Sequence, residues 1–197
     1  FQLCLRPTGK RRVSISLPDG GFYRFDARNA QECQSFQVPQ ANVIFDPVPG
    51  PTGGASAGRV NAGASLRAND GALVMAQGGM LVNADTGEPW NPLDFLLTTE
   101  DGVQYGLREG VGVLYVIDAW GNRVDYGANG YSHNANLRVQ ITRDAQGRIV
   151  EATDPQGRSV RYGYNSQGEL VSVTDRAGLV TRLGYASVPG VASAASS

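Results

Sequence analysis

The C-terminal part of the chain contains a repeat of 21 residues. Residues 144–164 align with residues 165–185, and nine of the 21 positions are identical. Each copy divides into two half-units, and each half-unit opens with Asp or Asn followed three positions later by Gly. Because a unit this short cannot bury a core alone, its copies must pack side by side. The period therefore constrains the fold more than any other feature of the sequence.

The openings of the half-units have the residue types of tight turns. A carboxylate or amide at the first turn position accepts a backbone N–H two residues later, and Gly at the fourth adopts positive φ without strain. A looser copy of the pattern lies upstream, around Trp120. The predicted turn residues are Asp118, Gly121, Asp144, Gly147, Asp154, Gly157, Asn165, Gly168, Asp175 and Gly178.

The segments between these turns have the alternation of half-buried strands. In residues 159–164, Val160, Tyr162 and Tyr164 share one face, and small or charged residues share the other. Asp-Gly pairs at Asp19 and Asp101 predict two further hairpins. The 26 Gly among 197 residues also disfavour helix. We therefore predict an all-β fold: an antiparallel β-meander of short strands and Asp/Asn-x-x-Gly turns.

Five segments are predicted along the chain. Residues 1–46 form a β-hairpin region, and residues 47–65, which are rich in Gly, Pro and Ala, form a linker or loop. Residues 66–136 form a second β region, residues 137–185 the repeats, and residues 186–197 a flexible tail. We expect the repeats alone to be poorly stable or to aggregate, because a few repeats leave a sheet edge open.

Net charge and hydropathy weigh against two classes of partner. The formal net charge of −1 gives no electrostatic basis for binding nucleic acid. No apolar run approaches the roughly 18 residues of a membrane span. Because the chain begins with Phe1, it is expected to be part of a longer polypeptide, and a preceding signal peptide stays an open alternative.

Catalytic and metal-binding chemistry have little support. His133 is the only histidine, and its neighbours predict a turn in which the imidazole makes a local hydrogen bond. The recurring Asp residues follow the turns rather than the spacing of a calcium loop or a catalytic carboxylate pair. The Gly-rich segment 51–58 lacks the Gly-Lys-Ser/Thr of a phosphate loop. We expect no catalytic residue, cofactor or metal.

Cys4 and Cys33 are the only cysteines. In an oxidising compartment, a disulfide between them would remove roughly 3 to 4 kcal/mol of unfolded-state entropy. Two buried free thiols are the alternative.

Tyrosines recur at matching positions of the strands. Stacked copies would form an aromatic ladder, in which each cross-strand contact contributes about 0.2 to 1 kcal/mol. The same rings, if exposed together with Trp90 or Trp120, would instead form a platform for sugars. The residues concerned are Tyr126, Tyr162, Tyr164 and Tyr185.

Two half-units, Gly157–Asn165 and Gly168–Asp175, resemble the YD repeat of RHS and teneurin-type proteins. Asn165 replaces the Asp that usually follows the Tyr, which keeps the turn chemistry and removes a charge. The resemblance covers most of the chain and is weakest between residues 47 and 96. Four upstream segments are similar to the region before the first repeats of large secreted bacterial RHS proteins: Leu17–Phe25, Leu97–Leu107, Ile117–Asn122 and Gly130–Asn134.

The resemblance implies the start of a β-sheet that spirals into a YD-repeat shell. In related proteins this shell encloses a C-terminal toxin or other effector, or displays a cell-contact surface. The implied partner is then the remainder of the same polypeptide, with further repeats and the effector, and the implied location is the surface or exterior of a bacterial cell. The family's processing Asp is not assigned to Asp154, since that Asp-Pro pair lies inside a regular repeat.

Three functions are carried forward from the sequence. The first is a non-catalytic structural segment of a secreted RHS protein. The second is an adhesin module that binds carbohydrate or a cell surface through exposed aromatics. An enzyme is the third and has the least support.

Overall fold

The computed structural model describes residues 2–5, 11–18, 20–30, 33–35, 38–48 and 63–186. These residues form strands and turns, and the paired strands are antiparallel, so the predicted all-β antiparallel meander is confirmed. The chain divides into two compact units, Phe1–Tyr126 and Gly127–Ser197. Most of the predicted linker and nearly all of the predicted tail lie outside the described residues.

The strands of the first unit are short, and the last of them ends one residue past the boundary of the unit. They are β1 (Gln2–Cys4), β2 (Arg11–Ser16), β3 (Phe22–Asn29), β4 (Cys33–Ser35), β5 (Gln40–Pro47), β6 (Ser65–Ala68), β7 (Leu73–Gln77), β8 (Met80–Asn83), β9 (Asp94–Thr98), β10 (Gln104–Arg108), β11 (Gly112–Ile117) and β12 (Arg123–Gly127).

Most strands of the first unit belong to one sheet with the order β12-β11-β10-β9-β6-β5-β3-β2. Strands β9 to β12 follow chain order, as hairpins with short turns require. The earlier strands branch: β7 pairs with β5 and β8, and β1 pairs with β4 in a separate two-stranded sheet. Among the described residues, β2 therefore ends the main sheet and pairs on one side only, with β3.

A hydrophobic core fills the first unit. Phe25, Val74 and Leu97 are fully buried, and the rings of Phe45 and Phe95 meet edge to face with their centroids 5.9 Å apart. The core residues come from strands far apart in sequence, so this unit depends on long-range burial of large side chains. The other members of the core are Leu17, Tyr23, Ala64, Leu66, Trp90 and Leu107.

The second unit is a strand series in chain order. Its strands pair consecutively and antiparallel, and a tight turn joins each strand to the next. They are β13 (Gly130–His133), β14 (Leu137–Arg143), β15 (Ile149–Thr153), β16 (Ser159–Tyr164), β17 (Leu170–Thr174) and β18 (Val180–Arg182).

Cross-strand register gives the sheet of the second unit one apolar and one polar face. Tyr162 lies opposite Val173 on one face, whereas Glu151 lies opposite Arg161 on the other. The guanidinium of Arg161 donates from Nε to Glu151 Oε1 at 3.0 Å. None of the described residues from 127 to 186 is fully buried. The second unit is therefore held by strand pairing and turns rather than by a core of its own.

Candidate functional site

The predicted turns of the repeats share one hydrogen-bonding pattern. The backbone N–H of the first residue donates to the carbonyl of the fifth, and the backbone N–H of the fourth residue, Gly, donates to the carbonyl of the first. The N–H of the fifth residue donates to the side-chain Oδ1 of the first. The Gly residues at the fourth position have φ between 79° and 85°. This is a type I turn followed by a glycine bulge, a common connection in three-residue hairpin loops. We call it the repeat turn.

Asp154 shows how the side chain completes the repeat turn. Its Oδ1 accepts the backbone N–H groups of Gln156 and Arg158, both at 2.9 Å. Its Oδ2 accepts Nε of Arg158 at 2.8 Å and Nη1 of Arg176, from the turn two strands further on, at 3.4 Å. The carboxylate thus joins two turns at the same end of the sheet.

In three of the four repeat turns the side chain of the fifth residue pairs with that of the first, whereas the turn at Asp175 has Leu179 at the fifth position. Arg148 donates from Nε to Asp144 at 2.7 Å, as Arg158 does to Asp154. In the next turn Asn165 donates from Nδ2 to Glu169 at 2.7 Å. An aspartate at that position would put two carboxylates together, whereas the amide donates a hydrogen bond to the acid four residues later. Sequence reasoning missed this pairing, although its signal, Arg after Asp and Glu after Asn, is present in the repeat.

These contacts lower the pKa of the turn carboxylates. For Asp154, partial burial would raise the pKa, but the backbone and side-chain hydrogen bonds from Arg158 outweigh it and lower the pKa to about 2. The pKa of Asp144 is also lowered, since Arg148 and Gln146 outweigh the opposing effect of burial. Carboxylates that stay ionised and fully engaged as acceptors are unsuited to general acid catalysis near neutral pH.

Among the described residues of the first unit, the same backbone pattern occurs at Asp118, Thr99 and Leu17. Asp118 accepts the N–H groups of Trp120 and Asn122 at 2.9 Å, and its Oδ2 accepts Nδ2 of Asn122 at 2.7 Å. In the hairpin predicted at Asp101, the turn begins at Thr99, whose N–H donates to the carbonyl of Val103 at 2.9 Å. Leu17 and Gly21 make the equivalent backbone bond at 2.8 Å, while Asp19 lies outside the described residues. The repeat turn is thus used in both units.

Two tyrosines tie neighbouring strands in the same way. The hydroxyl of Tyr164 donates to the carbonyl of Ile149 at 2.8 Å, and the hydroxyl of Tyr185, 21 residues later, donates to the carbonyl of Leu170 at 2.9 Å. The guanidinium carbon of Arg148 lies 4.6 Å from the ring centroid of Tyr164. In both copies of the repeat, this Tyr therefore holds its segment to the neighbouring strand through a hydrogen bond.

The remaining predicted aromatic residues differ in exposure. Tyr162 is half-buried on β16, and Tyr126 is exposed at the end of β12. Trp90 belongs to the core and donates from Nε1 to Asp70 Oδ2 at 2.8 Å, so it cannot form a sugar platform. Trp120 is 87% exposed at the third position of its repeat turn, where the turns of the second unit have Gln or Ala.

The two cysteines and the histidine make structural contacts: a disulfide and a hydrogen bond within a turn. Cys4 and Cys33 form a disulfide and lie opposite each other in the β1–β4 pair. Nδ1 of His133 accepts the backbone N–H of Ala135 at 3.0 Å. Within the part of the chain that the structure describes, no group of three or more His, Cys, Asp or Glu side chains is arranged to hold a metal ion. In the same residues, no helix is long and apolar enough to cross a membrane.

Residues 143–181 match the family model of the RHS repeat. No curated protein matches the chain. The matched segment runs from the end of β14 to β18 and contains four repeat turns, at Asp144, Asp154, Asn165 and Asp175. This segment is therefore a region of RHS repeats.

Proposed function

We propose that this RHS-repeat protein is a non-catalytic structural segment of a larger secreted polypeptide, in which the repeats contribute to a β-shell that encloses or displays a C-terminal toxin or other effector. The observation that carries the proposal is the use made of the polar side chains in residues 143–181. The turn carboxylates and the paired tyrosines are committed to hydrogen bonds that build the sheet. A wall needs such contacts, whereas a catalytic site needs groups free to meet a substrate.

A location outside the cytosol is part of the same proposal. The Cys4–Cys33 disulfide supports it, because disulfides persist in secreted and cell-surface proteins and are rare in a reducing cytosol. The proposed partner is the remainder of the same polypeptide, with further repeats and the effector.

Limited proteolysis of the complete polypeptide tests the proposed wall. Gly157→Val and Gly178→Val together place branched side chains at φ of 80° and 85°, which strains two repeat turns. Gly184→Ala is the matched control, since its Cβ would meet no atom within 4 Å and its backbone is not left-handed. We expect protease to cleave the C-terminal effector in the double variant. In the control variant the effector should stay as resistant to cleavage as in the unmodified polypeptide. An unchanged cleavage pattern in the double variant would reject the wall role.

A second candidate function, carbohydrate or cell-surface binding, is favoured by Trp120. The repeat turn requires no aromatic residue at its third position, yet Trp120 stands there with 87% of its surface exposed. An exposed indole gives a flat apolar plate with a polar edge. A glycan array tests this function: Trp120→Ala should abolish specific binding, whereas Gln146→Ala, at the same turn position in the second unit, should retain it. An array with no specific signal for the unmodified chain would exclude it.

A further inference from the structure

A groove of about 590 Å³ lies in the first unit, between β2 and the hairpin of β10 and β11. Its floor is the outer layer of the core and is made of apolar side chains. These are Val13, Ile15, Phe95, Leu107 and Val113. Val111, at the tip of the hairpin, is 67% exposed at the mouth of the groove. An exposed apolar surface of this kind marks a binding site in a folded protein.

One wall of the groove is the end of a sheet. Among the described residues β2 pairs only with β3, so alternate residues along its other edge point their backbone N–H and C=O groups away from the sheet, and residues 12–16 of β2 line the groove. The facing wall includes Gly110 and Gly112, and a Cβ added to either would meet no atom within 4 Å. The hairpin side of the groove is therefore open at these two positions. A row of alternating donors and acceptors next to an apolar floor selects an extended polypeptide over a compact ligand.

The charged side chains that line the groove indicate the charge of a ligand that would fit it. Arg12 is paired with Asp26 at 2.8 Å, and Arg108 with Asp94 at 2.6 Å. Both arginines are thus neutralised within the unit. Glu109 also lines the groove, and its carboxylate has no hydrogen-bond or ion-pair partner within the described ranges. Of the charged side chains among the described residues that line the groove, Glu109 is therefore the one without a partner.

We propose that this groove binds an extended segment of a partner polypeptide by β-strand addition to β2. The segment has alternating apolar side chains for the floor and a basic residue that meets Glu109. Backbone hydrogen bonds to the edge of β2 supply affinity for any extended chain, while the floor and Glu109 select its sequence. Six residues at about 3.3 Å each give an edge roughly 20 Å long, which accommodates a strand of ordinary length.

The binding test uses the full 197-residue chain and fluorescein-labelled hexapeptides measured by fluorescence anisotropy. The probe Lys-Val-Thr-Val-Thr-Val should bind saturably, and Glu-Val-Thr-Val-Thr-Val should bind roughly fivefold or more weakly. Glu109→Lys should reverse this preference. The control Glu88→Lys, an exposed acid outside the groove, should leave it unchanged. Lack of saturable binding, or an unchanged preference in Glu109→Lys, would overturn the proposal.

Backbone methylation tests whether the peptide pairs with the edge of a strand. Two versions of the Lys probe carry N-methyl groups on alternate amides, one version on the odd and one on the even residues. Because only one set of amides faces β2, one version should lose at least tenfold in affinity and the other should bind like the unmethylated probe. Equal binding of both versions would overturn strand addition. A chain dimer in sedimentation equilibrium that the Lys probe dissociates would also overturn it, since the occupant would then be a second copy.

Discussion

The two units use the same turn and stabilise their sheets differently. In the first unit, strands from distant parts of the sequence enclose Phe25, Val74 and Leu97, which are fully buried. In the second unit each strand pairs with its sequence neighbour, and none of the described residues is fully buried. Long-range burial therefore maintains the first unit, and a series of local hydrogen-bonded turns maintains the second.

This difference explains why further repeats can be added to the second unit. The second unit places its hydrogen bonds within a half-unit or between near neighbours. The bond from Tyr185 to Leu170 joins adjacent half-units, and the bond from Arg176 to Asp154 joins half-units two apart. Each added copy brings the same contacts and requires no change in the previous ones. A core like that of the first unit is instead complete when its volume is filled.

The largest expected effect is the loss of a core side chain. Phe25→Ala should destabilise the first unit by about 3 to 5 kcal/mol, because it leaves a cavity in a site that is closed to solvent. Urea unfolding followed by the fluorescence of buried Trp90, in a Trp120→Phe background, measures this loss. Val160→Ala, on the half-buried face of β16, is the comparison and should leave the Trp90 transition unchanged. A cost below about 1 kcal/mol for Phe25→Ala would contradict the account of the core.

Acid should unfold the second unit before the first. The pKa values of Asp144, Glu151 and Asp154 are lowered in the folded state, that of Asp154 to about 2. Ionised carboxylates with lowered pKa stabilise the fold above their unfolded pKa near 4, and this stability is lost as the pH falls toward 2. The first unit also has such groups, but it retains its buried core. Hydrogen exchange at a series of pH values should show residues 127–186 opening first; simultaneous opening of both units would refute the distinction.

Replacing a glycine of left-handed backbone by alanine should reduce the stability less than a cavity in the core does. Gly178→Ala keeps open space around the new Cβ but forces alanine to φ of 85°, which costs about 1 to 2 kcal/mol. Gly184→Ala meets no atom and has no such φ, so it should change the stability by less than about 0.5 kcal/mol. The measurement is the opening free energy of amides in β17, from native-state hydrogen exchange. Equal values for the two variants would show that the repeat turn does not stabilise the second unit.

The smallest expected effect concerns the charge match within a repeat turn. Asn165→Asp replaces a hydrogen bond to Glu169 by two facing carboxylates and should cost roughly 0.5 kcal/mol. Adding Glu169→Arg restores the Asp–Arg pair seen at Asp144 and Asp154, and should recover the loss. Hydrogen exchange of β16 and β17 measures both variants. If the second substitution does not recover the stability, the pairing of the first and fifth side chains does not stabilise the turn.

The repeat was predictable from the sequence because its contacts are local. Asp154 and Gly157 are three residues apart, so their turn chemistry is visible in the sequence alone. The pairing of Asn165 with Glu169 was equally local, but finding it requires comparing the first and fifth positions of each turn. The β1–β4 pair and the place of β6 between β5 and β9 were not predictable, since they depend on packing between segments far apart in the chain. The burial of Trp90, likewise, depends on packing in the core and on a hydrogen bond to Asp70, 20 residues away.

Hydrogen exchange of the unmodified full chain at neutral pH tests the central difference between the units most directly. We expect amides in β15 to β17 to open with a clearly lower free energy than amides in β3 and β9, which flank Phe25 and Leu97. Opening of the second unit should leave the protection of the first unchanged. Equal opening free energies in both sets of strands would contradict the account, since the repeats would then share the stability of the core.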